Sequence, residues 1–209
     1  MEPTIIGRSS SHFTRIARIF AGELCVAHSF EVVHDLTSVD SDDYAGNPAL
    51  RLPILRTSAG VWFGASNICR ELGRRSTRGL RIVWPEDLNE ALPANAQELT
   101  LQAMATEVTL IMAKAAGAVE DNAYLAKMRR SLLQTMAWLD AHLPETLAGL
   151  PSTRDLSYLE VTLFCLTTHL GFREVLPTKD YGNLNAFCEA FSARPSAAST
   201  PYRFDPRAS

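Results

Sequence analysis

The 209-residue chain is 46% hydrophobic and sets 20 basic against 23 acidic side chains, a formal net charge of −3. That balance suits one large or two small globular domains, and no Lys/Arg cluster alternates with aromatics, which argues against nucleic-acid binding. The apolar runs are short and interrupted, so no membrane span is expected. Met1-Glu2-Pro3 shows no basic region followed by an apolar stretch, so no signal peptide is expected. Cys25, Cys69, Cys165 and Cys188 lie far apart without a C-x-x-C pair. This disfavours a disulfide scaffold or zinc knuckle and favours a reducing, cytoplasmic compartment. The five histidines lack metal-ligand spacing, so no metal is expected.

In chain order, Thr4–Ile6 reads as a short strand. From His12 to Leu24 the apolar residues Phe13, Ile16, Ala17, Phe20 and Leu24 recur at helical spacing. Phe30, Val32 and Leu36 fall on one face of a second strand, broken at His34. Pro53–Arg56 and Val61–Phe63 read as two strands joined by the turn Thr57-Ser58-Ala59-Gly60. Ser66 is placed to cap a helix running to about Arg74. The order is strand, helix, strand, irregular, strand, strand, helix, a mixed α/β domain over 1–75.

Residues 76–88 read as a polar linker, and 89–209 as an all-helical domain. Leu101, Met104, Val108, Ile111 and Ala115 form one stripe. Leu125, Met128, Leu132, Met136, Leu139 and Leu143 form another. Steps of three and four predict two long amphipathic helices packed on each other. Ser157-x-x-Glu160 predicts a capping box, with Leu156 and Val161 as its hydrophobic staple, opening a buried helix to about Phe172. From Pro195 the chain is expected to be irregular.

Within the first domain the segment Asn47-Pro48-Ala49-Leu50-Arg51-Leu52-Pro53-Ile54-Leu55 carries the most information. Proline has no backbone donor, so Pro53 belongs at the start of a strand, where a cis bond can form a sharp turn. Such a turn leaves the Leu52 N–H and C=O available to an extended peptide. The other reading is a plain type I turn at Asn47-Pro48-Ala49 ahead of a core strand.

These residues, taken in order, resemble the cytosolic glutathione transferase superfamily, in its serine-type, bacterial-like form. Ser11-His12-Phe13-Thr14-Arg15-Ile16-Ala17-Arg18 is similar to that family's S-P-[YF]-x-R-x-x-R opening of the first helix. Leu52-Pro53 matches its cis-proline site, and Ser157/Glu160 resembles its S/T-x-x-D box. Leu184-Asn185-Ala186-Phe187, Ala193-Arg194-Pro195-Ser196 and Thr200-Pro201 resemble its last helix and exit. The resemblance implies a thioredoxin-like α/β domain followed by an all-α domain, glutathione as co-substrate, and a homodimer.

It also implies a chemistry. A free thiol has a pKa near about 8.5, so little thiolate exists at neutral pH. A hydroxyl donating to sulfur at the positive end of a helix favours the anion. The matching position is Ser11, with Ser10 and Ser9 as alternatives if the loop is shifted. The opposing reading is that the three serines only cap the first helix. No cysteine or tyrosine stands at these positions, so the thiol-transfer and tyrosine-type activations of other members are not expected. Leu52, Pro53, Ala65 and Ser66 are implied glutathione contacts. Phe13, Met104, Val108, Ile111 and Met112 are implied contacts of an apolar electrophile, although such a stripe also suits a core. One departure stands out: the family has Glu-Ser before the third helix, and this chain has Ala65-Ser66. Ala65 cannot pair an ammonium, and Glu98 reaching across a dimer is one compensating candidate. The resemblance equally implies a related glutathione-dependent isomerase or dehalogenase, and the alternative to an enzyme is a non-catalytic binding or scaffold protein that keeps the fold.

Overall fold

The computed structural model describes residues 2–118 and 122–206. The chain forms two compact units, Met1–Gly79 with Ser192–Ser209, and Leu80–Phe191. The sequence division put all of 89–209 in one helical domain, whereas the segment from Ser192 onward packs with the first 79 residues.

The first unit contains β1 (Thr4–Gly7), α1 (His12–Glu23), β2 (Ser29–Val32), β3 (Ile54–Thr57), β4 (Gly60–Phe63) and α2 (Ala65–Arg75). The sheet order is β2-β1-β3-β4, with β1 parallel to β2 and the other pairs antiparallel. Ile5 stands opposite Leu55 and Ile6 opposite Ile54, so alternation sends the two pairs to opposite faces. Ile6 and Ile54 bury Tyr44 between the sheet and the 41–50 segment, with Leu50 and Leu52 packed against them. α1 buries Ile16, Ala17, Ile19 and Phe20. It packs on β1 and α2, where Ile68, Cys69 and Leu72 are buried. Each large apolar side chain so buried contributes about 1.5–3 kcal/mol. Gly7 permits the close approach of β1 and α1: a Cβ there would lie 2.5 Å from the Thr14 Oγ1.

Three sequence expectations are corrected here. The second strand stops at Val32, and Leu36 is outside it and exposed. β1 ends at Gly7, so the last bond available to that strand is Val33 N–H to the Gly7 carbonyl. Ser66 does not cap α2. The cap is Gly64, whose φ of +82° turns the chain into the helix one residue before Ala65, a conformation that suits glycine. The segment from Pro195 begins with a short helix, α7 (Pro195–Ala198), because proline pre-sets the first helical φ and Arg194 is extended before it.

α7 is tied to the end of α1. Arg194 donates twice to Glu23, at 2.9 and 3.0 Å, and Ser196 Oγ donates at 2.5 Å. Burial alone pushes the Glu23 carboxyl up, but these donors outweigh it and hold it below its ordinary value. A carboxyl depressed in the folded state stabilises the fold above its unfolded value, and that stabilisation is lost as pH falls through the folded one. Thermal melts are therefore expected to show wild-type Tm falling as pH drops below about 4, with Glu23→Gln lower at pH 7 but less steep in acid. Parallel pH profiles for the two proteins would contradict this role.

The second unit holds β5 (Ile82–Val83), α3 (Ala91–Ala115), α4 (Ala123–Ala148), β6 (Leu156–Ser157), α5 (Tyr158–Phe172) and most of α6 (Gly182–Ser192). α3 packs along α4 and α5. α5 is buried nearly all round, from Tyr158 to Leu170. The expected polar linker contains a strand, since Ile82 and Val83 pair in parallel with Leu156 and Ser157. Arg81 reinforces it by binding Asp155 through its backbone N–H at 2.8 Å and its guanidinium at 3.2 and 3.3 Å.

The capping box is also corrected. Ser157 occupies the cap position of α5, but its hydroxyl makes no cap hydrogen bond. Glu160 is held instead by the Arg154 fork at 2.8 and 2.9 Å, a bidentate, charge-assisted pair that takes both carboxylate oxygens. Between α3 and α5 an acid is fully buried: Glu107 Oε1 meets His169 Nδ1 at 2.8 Å, with side-chain exposures of 0% and 4%.

Candidate functional site

Sheet register gathers three loops at one end of the first unit. β1 runs out at Gly7 beside the start of β3, because Ile6 pairs with Ile54. β4 ends at Phe63, also opposite Ile54. The loop Arg8–Ser11, the Leu52-Pro53 peptide and the Gly64–Ala65 turn therefore meet at this end. Both α1 and α2 start here, so their positive termini face the same region.

The Leu52-Pro53 bond is cis. The Pro53 carbonyl accepts from Gly64 N–H at 3.2 Å, which joins the proline turn to the start of α2. The Leu52 side chain leans on the Ile6–Tyr44–Ile54 cluster, and its backbone makes no hydrogen bond among the described residues. Asn47, not singled out in the sequence reading, holds this loop together. Its Nδ2 donates to the Arg51 carbonyl at 2.7 Å, and its Oδ1 accepts from Ala49 N–H at 3.0 Å. Its burial at 4% exposure makes both bonds obligatory. The only sequence signal for it is its place at the head of the Asn47–Leu55 segment.

Ser11 is the cap of α1, extended at φ −102° and ψ 126°, with its Oγ accepting from Thr14 N–H at 3.3 Å. Accepting that bond leaves the hydroxyl proton free to be donated elsewhere. Ser11 is half-buried, whereas Ser9 and Ser10 are buried at 3% and 8% exposure. Ser11 N–H closes a turn onto the Arg8 carbonyl at 3.1 Å. Of the three serines, Ser11 alone combines partial exposure with the helix-cap position.

At the start of α2, Ala65 is buried and offers no side-chain charge. Ser66 is half-buried, and its Oγ accepts a short hydrogen bond from Arg70. Phe13 is half-buried on α1, edge-on to His12 at 4.5 Å between ring centroids. In the second unit Met104 is 0% exposed and belongs to the core, while Val108 and Met112, one and two turns on, are 37% and 43% exposed. Ile111 is half-buried between them. Glu98 is exposed and accepts from Gln102 at 2.8 Å. Among the described residues no helix is long and apolar enough to cross a membrane.

The sequence matches no family model and no curated protein. Its structure is similar to several solved ones. A glutathione S-transferase of Methylobacterium radiotolerans, in complex with glutathione sulfonate, aligns at 18% identity with a TM-score of 0.76, covering 100% of this chain and 99% of that one. A glutathione transferase family member of Pseudomonas fluorescens Pf-5, with bound glutathione, aligns at 20% identity and TM-score 0.79, covering 96% and 99%. One from Methylobacillus flagellatus, also with glutathione, gives 17% and 0.76, covering 96% and 100%. The four-stranded mixed sheet followed by a helical part, over the full length of these proteins, is the thioredoxin-like plus all-helical architecture, and the chain has the fold of the glutathione transferases.

Proposed function

We propose that this chain is a glutathione transferase of the serine type, and that Ser11 activates the glutathione thiol for attack on an apolar electrophile. The observation that carries the reading is the state of Ser11. Its oxygen is fixed at the positive end of α1 by Thr14 N–H, and its proton remains to be given to sulfur. Deprotonated sulfur accepts that proton in a hydrogen bond while the helix terminus favours its charge. The peptide of the tripeptide would pair with the Leu52 backbone beside Pro53. Its γ-glutamyl carboxylate would sit at the first turn of α2, on the free N–H groups at Ala65 and Ser66. Val108 and Met112, exposed on α3, are the proposed apolar contacts of the electrophile, and adaptable methionine suits varied partners. In the same reading the protein is cytoplasmic and homodimeric, as the resemblance implies.

A second reading is supported by a specific observation. Ala65 supplies no carboxylate for the ligand's ammonium, and losing such a partner weakens binding by about 1.5–3 kcal/mol, roughly ten- to hundredfold. A fold that keeps its shape and lacks this chemistry would serve as a binding or scaffold protein. Turnover separates the two. The transferase reading expects conjugation of a model electrophile such as a chlorodinitrobenzene, saturable in glutathione. Absence of turnover across aryl halides, epoxides and unsaturated carbonyls would favour the scaffold.

A further inference from the structure

The last described stretch of chain returns to the serine loop. Asp205 Oδ2 accepts from Ser9 N–H at 2.8 Å, across a sequence separation of 196 residues. Its side chain is only 3% exposed, and Arg8 Nε approaches at 4.0 Å. Neighbouring contacts hold the approach. The Arg15 guanidinium lies over the Tyr202 ring at 4.3 Å and donates to the Ala197 carbonyl at 3.3 Å. Arg18, in the next turn of α1, lies within electrostatic reach of both Asp205 and Arg203.

Ser9 sits inside the turn that delivers Ser11. Arg8 and Ser11 close that turn through Ser11 N–H to the Arg8 carbonyl at 3.1 Å, and Arg8 is anchored outside it by its Nη1 donating to the His34 carbonyl at 3.0 Å. Ser9 is buried, so its N–H needs an acceptor within the protein. Asp205 is that acceptor. A carboxylate this buried, bound to the Ser9 N–H at 2.8 Å with the Arg8 guanidinium at 4.0 Å, is placed to define the shape of the turn.

We infer that Asp205 is a positioning residue for the serine loop: by binding Ser9 N–H it fixes the turn that aims the Ser11 hydroxyl. This rests on the transferase reading. It also distinguishes two ways a carboxylate can act near a thiolate. As a bare negative charge it disfavours the thiolate, so its removal would lower the thiol's apparent pKa. As a positioning group it keeps the stabilising hydroxyl in place, so its removal raises that pKa.

The experiment compares wild type, Asp205→Ala and Asp205→Asn in glutathione conjugation, with pH–rate profiles, thermal melts and amide hydrogen exchange of the Ser9–Ser11 loop. Asparagine keeps an oxygen acceptor for Ser9 N–H and discards the charge. The expected result for Asp205→Ala is a kcat about tenfold lower, a glutathione KM changed by less than about threefold, and an acid limb raised by about one pH unit. Loop amides should exchange faster, and Asp205→Asn should recover most of kcat and the wild-type limb. An acid limb that moves down in both variants would overturn positioning in favour of charge. A lower Tm with unchanged kcat, profile and loop exchange would reduce Asp205 to a fold contact and overturn the inference alone. No turnover by wild type would overturn the transferase reading, and this inference with it.

Discussion

Ser11→Ala is expected to lower the rate of glutathione conjugation by about ten- to hundredfold while leaving glutathione affinity within about threefold. The hydroxyl contributes one hydrogen bond to an anion, about 1.5–3 kcal/mol, which corresponds to roughly one to two pKa units of the bound thiol. That stabilisation belongs to the thiolate and not to the peptide contacts, so kcat falls and binding does not. The acid limb of the pH–rate profile should rise by the same one to two units. The substitution also removes the acceptor of Thr14 N–H and so should cost about 1 kcal/mol of stability. Ser11→Thr, which keeps both the cap and a donor, should restore stability and part of the rate. If Ser11→Ala turns over like wild type, Ser11 is only a cap and the proton donor lies elsewhere.

Glu107→Ala is expected to have the largest effect on stability. Glu107 and His169 are buried together between α3 and α5, 2.8 Å apart. Removing one partner of a buried acid–base pair strands the other and costs about 3–5 kcal/mol. For a chain of this length that corresponds to a Tm about 6–20 °C lower. Glu107→Gln, which retains an oxygen acceptor, should lose less. The double variant Glu107→Leu with His169→Phe should recover part of the loss, because it removes the acid and its imidazole partner together. A Tm within about 2 °C of wild type for Glu107→Ala would mean that the pair is not what holds α3 to α5.

Much of the fold was legible in local pattern. The His12–Leu24 periodicity is α1, the two strands around Ser58-Ala59 form the expected hairpin, and the Tyr158–Phe172 helix is buried as its composition required. Pro53 at the head of a strand was readable because proline has no backbone donor, and the cis bond before it was what the family resemblance implied. Among the assignments that failed, the helix caps are instructive. Ser157 and Glu160 have the spacing of a capping box, but Arg154, six residues before Glu160, offers its carboxylate a bidentate fork. Ser66 looked like a cap until the Gly64 turn started α2 earlier.

Ser11, Leu52 and Ser66, the proposed site residues, stand beside turns and helix starts, where local sequence pattern is most legible. The predicted stripe Leu101, Met104, Val108, Ile111 and Ala115 lies on α3, but the face that packs is Ala96, Thr100, Ala103, Met104, Glu107 and Leu110, so Met104 alone of the stripe is core and Val108 and Ala115 are exposed. Asn47 and Asp205 escaped for different reasons. Asn47 satisfies its own loop, which any turn-forming asparagine can do. Asp205 acts across nearly the whole chain, and no local period encodes such a contact.

The measurement that bears most directly on the central proposal is calorimetric titration of the protein with glutathione at pH 7. The transferase reading predicts saturable heat with a Kd tighter than about 1 mM, about −4 kcal/mol, despite alanine at position 65. No heat and no thermal shift at about 10 mM glutathione, roughly ten times that Kd, would contradict it and leave the scaffold reading in its place.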